Sequence, residues 1–173
     1  MKEAVIVSGV RTPVGSFGGS LKNVPVVDLG KVVMKEVFKR AGLRPEASEE
    51  QSLFCPDSLK DQARIELEEK GYDYDPGLTP VFADEVIMGN VLQAGQGQNT
   101  ARQAMIGAGI TRFTPAVTVN KICGSGLKAI ALGAQAIMAG QADVVLAGGQ
   151  ESMSNAPMAL LKARWGHRME LTG

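Results

Sequence analysis

The amino-acid sequence predicts an α/β fold in which helices pack on the faces of a parallel sheet. Short apolar runs alternate with segments of helical periodicity along most of the chain, and the connections between them are short. Glycine is abundant, with 21 residues, and aromatic residues make up only 5% of the sequence, as expected where helices approach a sheet through small side chains. At 173 residues, the chain can bury one sizeable core and is too short for two full domains.

The first predicted strand and helix lie near the N-terminus. The apolar run at residues 4–7 ends at Ser8 and Gly9 and predicts a buried strand, because strands buried on both faces are continuously hydrophobic rather than alternating. After a glycine-rich loop, residues 26–41 carry apolar side chains at near-helical spacing, and Gly42 is a plausible C-cap. The order predicted for this region is therefore strand, then helix.

Residues 44–82 interrupt this alternation and are predicted to be a surface insertion. They contain the charged stretch DQARIELEEKG, which favours a short exposed helix, and the turn-rich stretch YDYDPGLTP. Cys55 lies in this segment with neither a helix start nor a basic cluster beside it in the sequence. An unreactive thiol is therefore expected there.

The alternation of strands and helices resumes after the insertion. The pattern predicts three further strands and two helices, at residues 84–88, 116–122 and 143–147 for the strands and 99–108 and 124–139 for the helices. Asn99 is a candidate N-cap for the first of these helices. Residues 151–173 no longer follow the pattern and are predicted to begin another module, so that residues 1–150 form the main domain.

Composition and charge argue against several classes of function. The 18 Lys and Arg residues balance the 18 Asp and Glu residues, so no net field favours nucleic acid or an anionic membrane as a partner. The sequence shows no secretory signal and no long apolar stretch, and it predicts a soluble, cytoplasmic protein. With two cysteines far apart in sequence and a single histidine, His167, neither a metal site nor a disulfide is expected.

The stretch PAVTVNKICGSGLKAIALGAQAIMAG places Cys123 at an elbow between a β-branched strand and a helix. At a helix N-terminus, unpaired backbone N–H groups and the positive end of the helix dipole stabilise a thiolate. Gly124 and Gly126 have no side chains, so a substrate carbonyl could approach both the sulfur and the N–H groups that would stabilise an oxyanion. The chemistry indicated is acyl transfer through a thioester.

Two other interpretations of the elbow stay open at this point. Free cysteines are often buried, inert packing groups. Alternatively, Gly124, Gly126 and Ala129 match the glycine fingerprint of dinucleotide-binding domains, with Asp143 near the expected spacing. In that fingerprint, however, the acidic residue ends the next strand, whereas Asp143 begins it, and the motif opens the domain rather than following earlier strands.

Four stretches of the sequence resemble successive blocks of thiolases, in the order of that family: VSGVRTPVGSFGGSL, EVIMGNVLQAGQGQNTARQA, VNKICGSGLKAI and DVVLAGGQESMSNAP. Together they cover residues 1–43 and 83–160. The resemblance implies that residues 1–150 form a thiolase-fold N-terminal half-domain with a five-stranded mixed, mostly parallel sheet and helices on both faces. Residues 151–173 would be the truncated start of the coenzyme A-binding loop region.

The resemblance also implies a function. Cys123 aligns with the nucleophile of thiolases, which takes an acetyl group from acetyl-CoA for Claisen condensation to acetoacetyl-CoA, or acts in the reverse thiolysis. Coenzyme A thioesters are the substrates, and no cofactor is implied. In thiolases the second half supplies a histidine base and a second cysteine, and neither motif occurs in this sequence, where His167 has a different context. The chain is therefore expected to be inactive alone.

Partners are implied by the same resemblance. A homodimer or a dimer of dimers is expected, with the elbow strands of two chains meeting across a two-fold axis, and a separate C-terminal thiolase half is a further candidate partner. Three interpretations follow: a fragment of a one-chain thiolase, one subunit of a split thiolase, or a non-catalytic assembly module with a thiolase fold. A dinucleotide-binding domain is the distant alternative.

Overall fold

The computed structural model describes residues 2–53, 55–59 and 64–166. Its helices and strands, in chain order, are α1 (Val26–Arg40), β1 (Leu43–Pro45), α2 (Glu49–Leu53), α3 (Glu66–Gly71), β2 (Thr79–Val81), β3 (Glu85–Gly89), α4 (Thr100–Gly107), β4 (Ala116–Val119), α5 (Ser125–Met138) and β5 (Val145–Gly149). Within the described ranges, none of the helices combines the length and the apolar character needed to cross a membrane.

The strands form two separate parallel sheets. β3 lies at the centre of a three-stranded sheet with the order β4-β3-β5, and β1 pairs with β2 in a small two-stranded sheet. In the larger sheet, Ile87 lies opposite Val117 on one side and Ala147 on the other. Because parallel strands cannot be joined by a tight hairpin, α4 and α5 serve as the crossover connections.

Helices cover both faces of the larger sheet. The chain passes from β3 to β4 through α4, and from β4 back past β3 to β5 through α5, so right-handed crossovers place α4 and α5 on opposite faces. The alternation of side chains along β3 agrees with this arrangement. Val86 and Met88 join the core formed with α4, whereas Gly89 faces the first turn of α5.

The main hydrophobic core lies between the sheet, α1 and α4. Met34 and Phe38 of α1 and Met105 of α4 are almost completely buried in it. Tyr74, from the segment before β2, closes one side: its ring lies edge-on to Phe38, and its hydroxyl donates a 2.9 Å hydrogen bond to the carbonyl of Ala108. Burial raises the pKa of the Tyr74 phenol above its ordinary value.

The α/β class with parallel pairing is confirmed, but the predicted single five-stranded mixed sheet is not what the structure shows. All pairings between described strands are parallel, and they are divided between two sheets. Residues 4–7 do not form the predicted strand, and Val5, Ile6 and Val7 are 69%, 83% and 73% exposed. A buried strand needs neighbours that pair with its backbone and cover its side chains, and no described segment does this here.

The segment at residues 44–82 contacts the core through α3. The short helix predicted there forms, but the expectation that it is exposed is wrong for one of its faces, because Glu68 and Gly71 are buried. Glu68 accepts hydrogen bonds from the backbone N–H groups of Ile65 and Arg112 and pairs with the Arg112 guanidinium at 3.2 Å. The backbone of Gly71 lies directly against that of Gly107.

Element ends follow local capping chemistry. α1 ends at Arg40, and Gly42 follows with a φ of 73°, as a C-cap glycine does. The predicted cap of α4 is confirmed, because the Asn99 side chain accepts a 3.1 Å hydrogen bond from the Arg102 N–H. β4 ends at Val119, three residues before the predicted end at residue 122, because the chain turns at Asn120.

Candidate active site

The elbow between β4 and α5 is held by two polar side chains at its ends. The Asn120 side-chain oxygen accepts a 3.0 Å hydrogen bond from the Ile122 N–H. The Ser125 hydroxyl accepts from the Lys121 N–H at 2.8 Å and donates to the Ile122 carbonyl at 2.6 Å. The side chains that flank the turn therefore bond to its backbone from both sides, which fixes the path of the chain on either side of Cys123.

Ile122, the residue before the cysteine, has a left-handed backbone conformation. Its φ is 51°, and the only other non-glycine residue with positive φ in the described chain is Asn99. A β-branched residue is strained in this region, and such strain persists only where the surrounding structure imposes it. The Ile122 side chain is 71% exposed, so burial of that side chain does not account for the strain. Strained turns of this kind cluster at functional sites.

Cys123 is exposed and lies two residues before the start of α5. A methyl group added at Gly124 would have ordinary contacts, the nearest with the Lys121 carbonyl oxygen at 3.6 Å. One added at Gly126 would likewise meet Gly149 at 3.6 Å. Neither glycine is therefore demanded by protein packing. Their role in leaving room beside the sulfur stays a prediction.

The close approach of the sheet to the elbow depends on Gly89, which the sequence analysis did not single out. A Cβ atom at Gly89 would lie 2.4 Å from the carbonyl carbon of Ser125 and 2.5 Å from the nitrogen of Gly126. The end of β3 therefore touches the first turn of α5 directly. The signal available in the sequence was a glycine directly after the strand predicted at residues 84–88.

A second feature near the elbow is the carboxylate of Glu151, which follows β5. It accepts hydrogen bonds from the side-chain amide of Asn90 and from the backbone N–H groups of Val91 and Leu92, at 2.8 to 3.2 Å. Asn90 in turn accepts a 2.8 Å hydrogen bond from the Thr100 hydroxyl. The ends of β3 and β5 and the start of α4 are thus joined by one polar network.

α5 presents different faces to the sheet and to solvent. Small residues face the sheet, and a Cβ at Gly133 would lie 2.9 Å from the Val145 side chain. Large apolar side chains lie on the opposite face, with Leu127 73%, Ile130 41% and Met138 40% exposed. The helix that follows the cysteine therefore has an uncovered apolar surface.

The other chemistry-bearing residues lie apart from the elbow or outside the described chain. Cys55 is buried, with the Arg112 guanidinium 3.7 Å from its sulfur, a basic neighbour that its local sequence does not show. His167 lies outside the described residues. Asp143 precedes β5 and pairs with Lys2, so it does not end a strand as a dinucleotide-binding acid would. Among the described residues, no group of three or more His, Cys, Asp or Glu side chains is placed to hold a metal ion.

Comparison with known proteins decides the family. A family model described as the N-terminal domain of thiolases matches residues 4–56 and 73–172. The chain belongs to the thiolase family. The family model does not match residues 57–72. These residues lie inside the segment at 44–82 that the sequence predicts to be an insertion.

Similar curated proteins include two acetyl-CoA acetyltransferases. That of Cupriavidus necator is 47% identical over 169 residues, and that of Syntrophomonas wolfei is 45% identical over 170 residues. A probable acetyl-CoA acyltransferase of Staphylococcus aureus is 41% identical over 169 residues. Each alignment covers 98% of this thiolase chain and 34% of the relative.

A solved structure gives the same family. The crystal structure of the Acat5 thiolase from Ascaris suum in complex with coenzyme A matches with a TM-score of 0.67 and 39% sequence identity, over 92% of this chain and 32% of that chain. The thiolase chain described here thus spans about a third of the length of the relatives that it matches.

Proposed function

We propose that the chain is the N-terminal portion of an acetyl-CoA C-acetyltransferase and that Cys123 is its acyl-accepting nucleophile. The observation that carries the proposal is an exposed cysteine placed between a strained Ile122 and the N-terminus of α5. The names of the similar acetyltransferases and the coenzyme A complex of the Ascaris suum thiolase support acetyl-CoA as the substrate. Coenzyme A thioesters enter as substrates, and the proposed chemistry needs no cofactor.

The proposed reaction has two steps. The Cys123 sulfur attacks the thioester carbonyl of acetyl-CoA, a carbon–sulfur bond to the enzyme forms, and coenzyme A leaves as a thiol with the proton that the cysteine lost. A second acetyl-CoA, deprotonated at its methyl carbon, then attacks the enzyme thioester. A carbon–carbon bond forms, the bond to Cys123 breaks, the sulfur regains a proton, and acetoacetyl-CoA leaves; thiolysis is the reverse.

Backbone N–H groups of the first turn of α5 beyond Ser125, whose own N–H donates to the Ile122 carbonyl, would stabilise the negative charge on the carbonyl oxygen in both steps. The first N–H groups of a helix have no acceptor within the helix, and the positive end of its dipole lies among them. Gly124 and Gly126 carry no side chains that would keep the carbonyl from these groups.

The proton transfers need a histidine base and a second cysteine, which in thiolases belong to the second half of the chain. Neither of these motifs occurs in these 173 residues. We therefore propose that the chain does not turn over alone and that a C-terminal thiolase portion completes the site. The uncovered apolar face of α5 supports this, because exposed apolar patches commonly mark interaction surfaces. Self-association as a dimer or a dimer of dimers through β4 is proposed on the resemblance.

Intact mass spectrometry after incubation with acetyl-CoA tests the nucleophile. The chain is mixed with the C-terminal two-thirds of the Cupriavidus necator relative, and we expect a mass gain of about 42 Da, the size of an acetyl group replacing a proton. The gain should be lost in Cys123→Ser and kept in Cys55→Ser, the matched control at the buried thiol.

The outcomes separate the remaining interpretations. Acetylation of Cys123 in the mixture but not in the chain alone would show that the base comes from the second portion. A mixture that forms a stable complex yet leaves Cys123 unmodified would contradict the proposed nucleophile and favour a non-catalytic assembly module with a thiolase fold.

A further inference from the structure

The Glu151 carboxylate is the structural link between the loop after β3 and the segment after β5. Its oxygens accept hydrogen bonds from the Asn90 side chain at 2.9 Å, the Val91 N–H at 2.8 Å and the Leu92 N–H at 3.2 Å. Hydrogen bonds to a charged acceptor are about twice as strong as those between neutral groups. Three donors of the loop at residues 90–92 are therefore bound by one side chain that lies far from the loop in sequence.

The same loop contacts the elbow that carries Cys123. The Asn90 N–H donates a 3.0 Å hydrogen bond to the carbonyl of Val119, the last residue of β4. The Asn120 side-chain amide extends toward the Val91 carbonyl at the long distance of 3.5 Å. Asn120 is also the residue whose side-chain oxygen accepts from the Ile122 N–H.

We infer that Glu151 is a positioning residue for Cys123, acting through the loop at residues 90–92 and Asn120. This inference rests on the proposed function of Cys123 as the nucleophile. A strained residue persists only when its surroundings hold it, and the turn at Ile122 is exposed, so its restraints come from the backbone and from the polar side chains beneath it. Removing the carboxylate frees the loop that supports Asn120, and the turn relaxes toward an unstrained backbone.

Site-resolved amide hydrogen exchange on the chain tests this coupling. In Glu151→Ala we expect exchange about tenfold faster at Val91 and Leu92, which lose a charged acceptor, and also faster exchange at Ile122 and Ser125 in the elbow. The Ala108 amide, which bonds to the Ala104 carbonyl in α4, should exchange at its original rate and reports the stability of the core.

Two further variants sharpen the measurement. Glu151→Gln keeps one acceptor oxygen but places an NH2 donor where the second oxygen accepted from a donor, so it should restore only part of the protection at the elbow. Glu36→Ala, the matched control, removes a carboxylate from an exposed ion pair with Arg40 on α1 and should leave the exchange rates of the elbow amides unchanged.

Alkylation of Cys123 by iodoacetamide should be slower in Glu151→Ala, while the buried Cys55 stays protected.

Two results would overturn the inference. Faster exchange confined to residues 90–92 would show that Glu151 fixes only this loop and does not act on the elbow. Faster exchange at Ala108 as well would show that the substitution lowers the stability of the whole chain. The proposed function can fail separately. If Cys123 takes no acetyl group in the two-portion mixture while exchange at the elbow still depends on Glu151, the positioning of the elbow by Glu151 is supported and acetyl transfer to Cys123 is contradicted.

Discussion

Ile122 shows how a single residue can carry the geometry of a site. Its φ of 51° turns the chain from β4 toward α5, and the side chains of Asn120 and Ser125 bond to the turn from both sides. A β-branched side chain is costly there, with strain on the order of 1–3 kcal/mol for such backbone conformations. The sequence did not predict this left-handed turn, because an isoleucine after a β-branched strand favours continuation of the strand.

Replacement of Ile122 by glycine should stabilise the chain. Glycine adopts positive φ without strain, and the Ile122 side chain is 71% exposed, so little packing is lost. We expect the free energy of unfolding to rise by about 1 kcal/mol in urea denaturation, net of the greater flexibility of glycine when unfolded. Val117→Gly, in the regular strand β4, is the control and should lower it by about 1 kcal/mol. A loss of stability in Ile122→Gly would show that the turn is not strained.

At the scale of elements, α3 is joined to the core by a buried charge pair. Glu68 is completely buried and accepts hydrogen bonds from Ile65 and from both the backbone and the guanidinium of Arg112. The sequence pattern could not distinguish Glu68 from the exposed acidic residues beside it, since its partner is 44 positions away. This long-range pair, rather than the local charge pattern, decides which face of α3 is buried.

Glu68→Gln tests the importance of this pair for α3. Breaking a buried ion pair from one side typically costs about 3–5 kcal/mol, because a buried charge loses a compensating carboxylate. We expect a loss of that order in the free energy of unfolding. Glu66→Gln on the same helix removes an exposed pair with Lys70 and should change stability by at most about 1 kcal/mol. Equal effects of the two substitutions would mean that the buried pair does not hold α3.

At the scale of the whole molecule, the chain leaves apolar surface that its own elements do not cover. Leu127 and Ile130 of α5 are exposed, as are Val5, Ile6 and Val7 near the N-terminus. The thiolase relatives are about three times as long as this chain, and additional chain would be available to cover such surface. The uncovered face of α5 begins one turn beyond Cys123, so a partner on this face would lie beside the elbow.

A paired substitution on α5 tests this surface. In Leu127→Gln with Ile130→Gln, we expect weaker binding of a hydrophobic dye and reduced association with the C-terminal portion of a related thiolase, while the melting temperature changes little. Val32→Gln, which changes a 61% exposed residue on α1, is the matched control and should leave the association unchanged. Undiminished association in the α5 variant would show that the partner binds elsewhere.

The amino-acid sequence alone determined those features that depend on neighbours along the chain. The alternation of strands and helices predicted the α/β class, and Gly42 and Asn99 marked helix ends through capping chemistry that involves adjacent residues. The strand-to-helix elbow placed Cys123 at the start of α5 for the same local reason, and the ordered motifs predicted the thiolase family.

Only the tertiary structure decided the features that join distant segments. Residues 4–7 have the composition of a buried strand, yet strand formation depends on a pairing neighbour, and none of the described segments supplies one. Arg112 beside Cys55, Gly89 beneath the first turn of α5 and Glu151 at the loop after β3 are likewise contacts across the fold. The physical reason is that hydrophobic periodicity reports which side of an element is buried, but not which distant residue it meets.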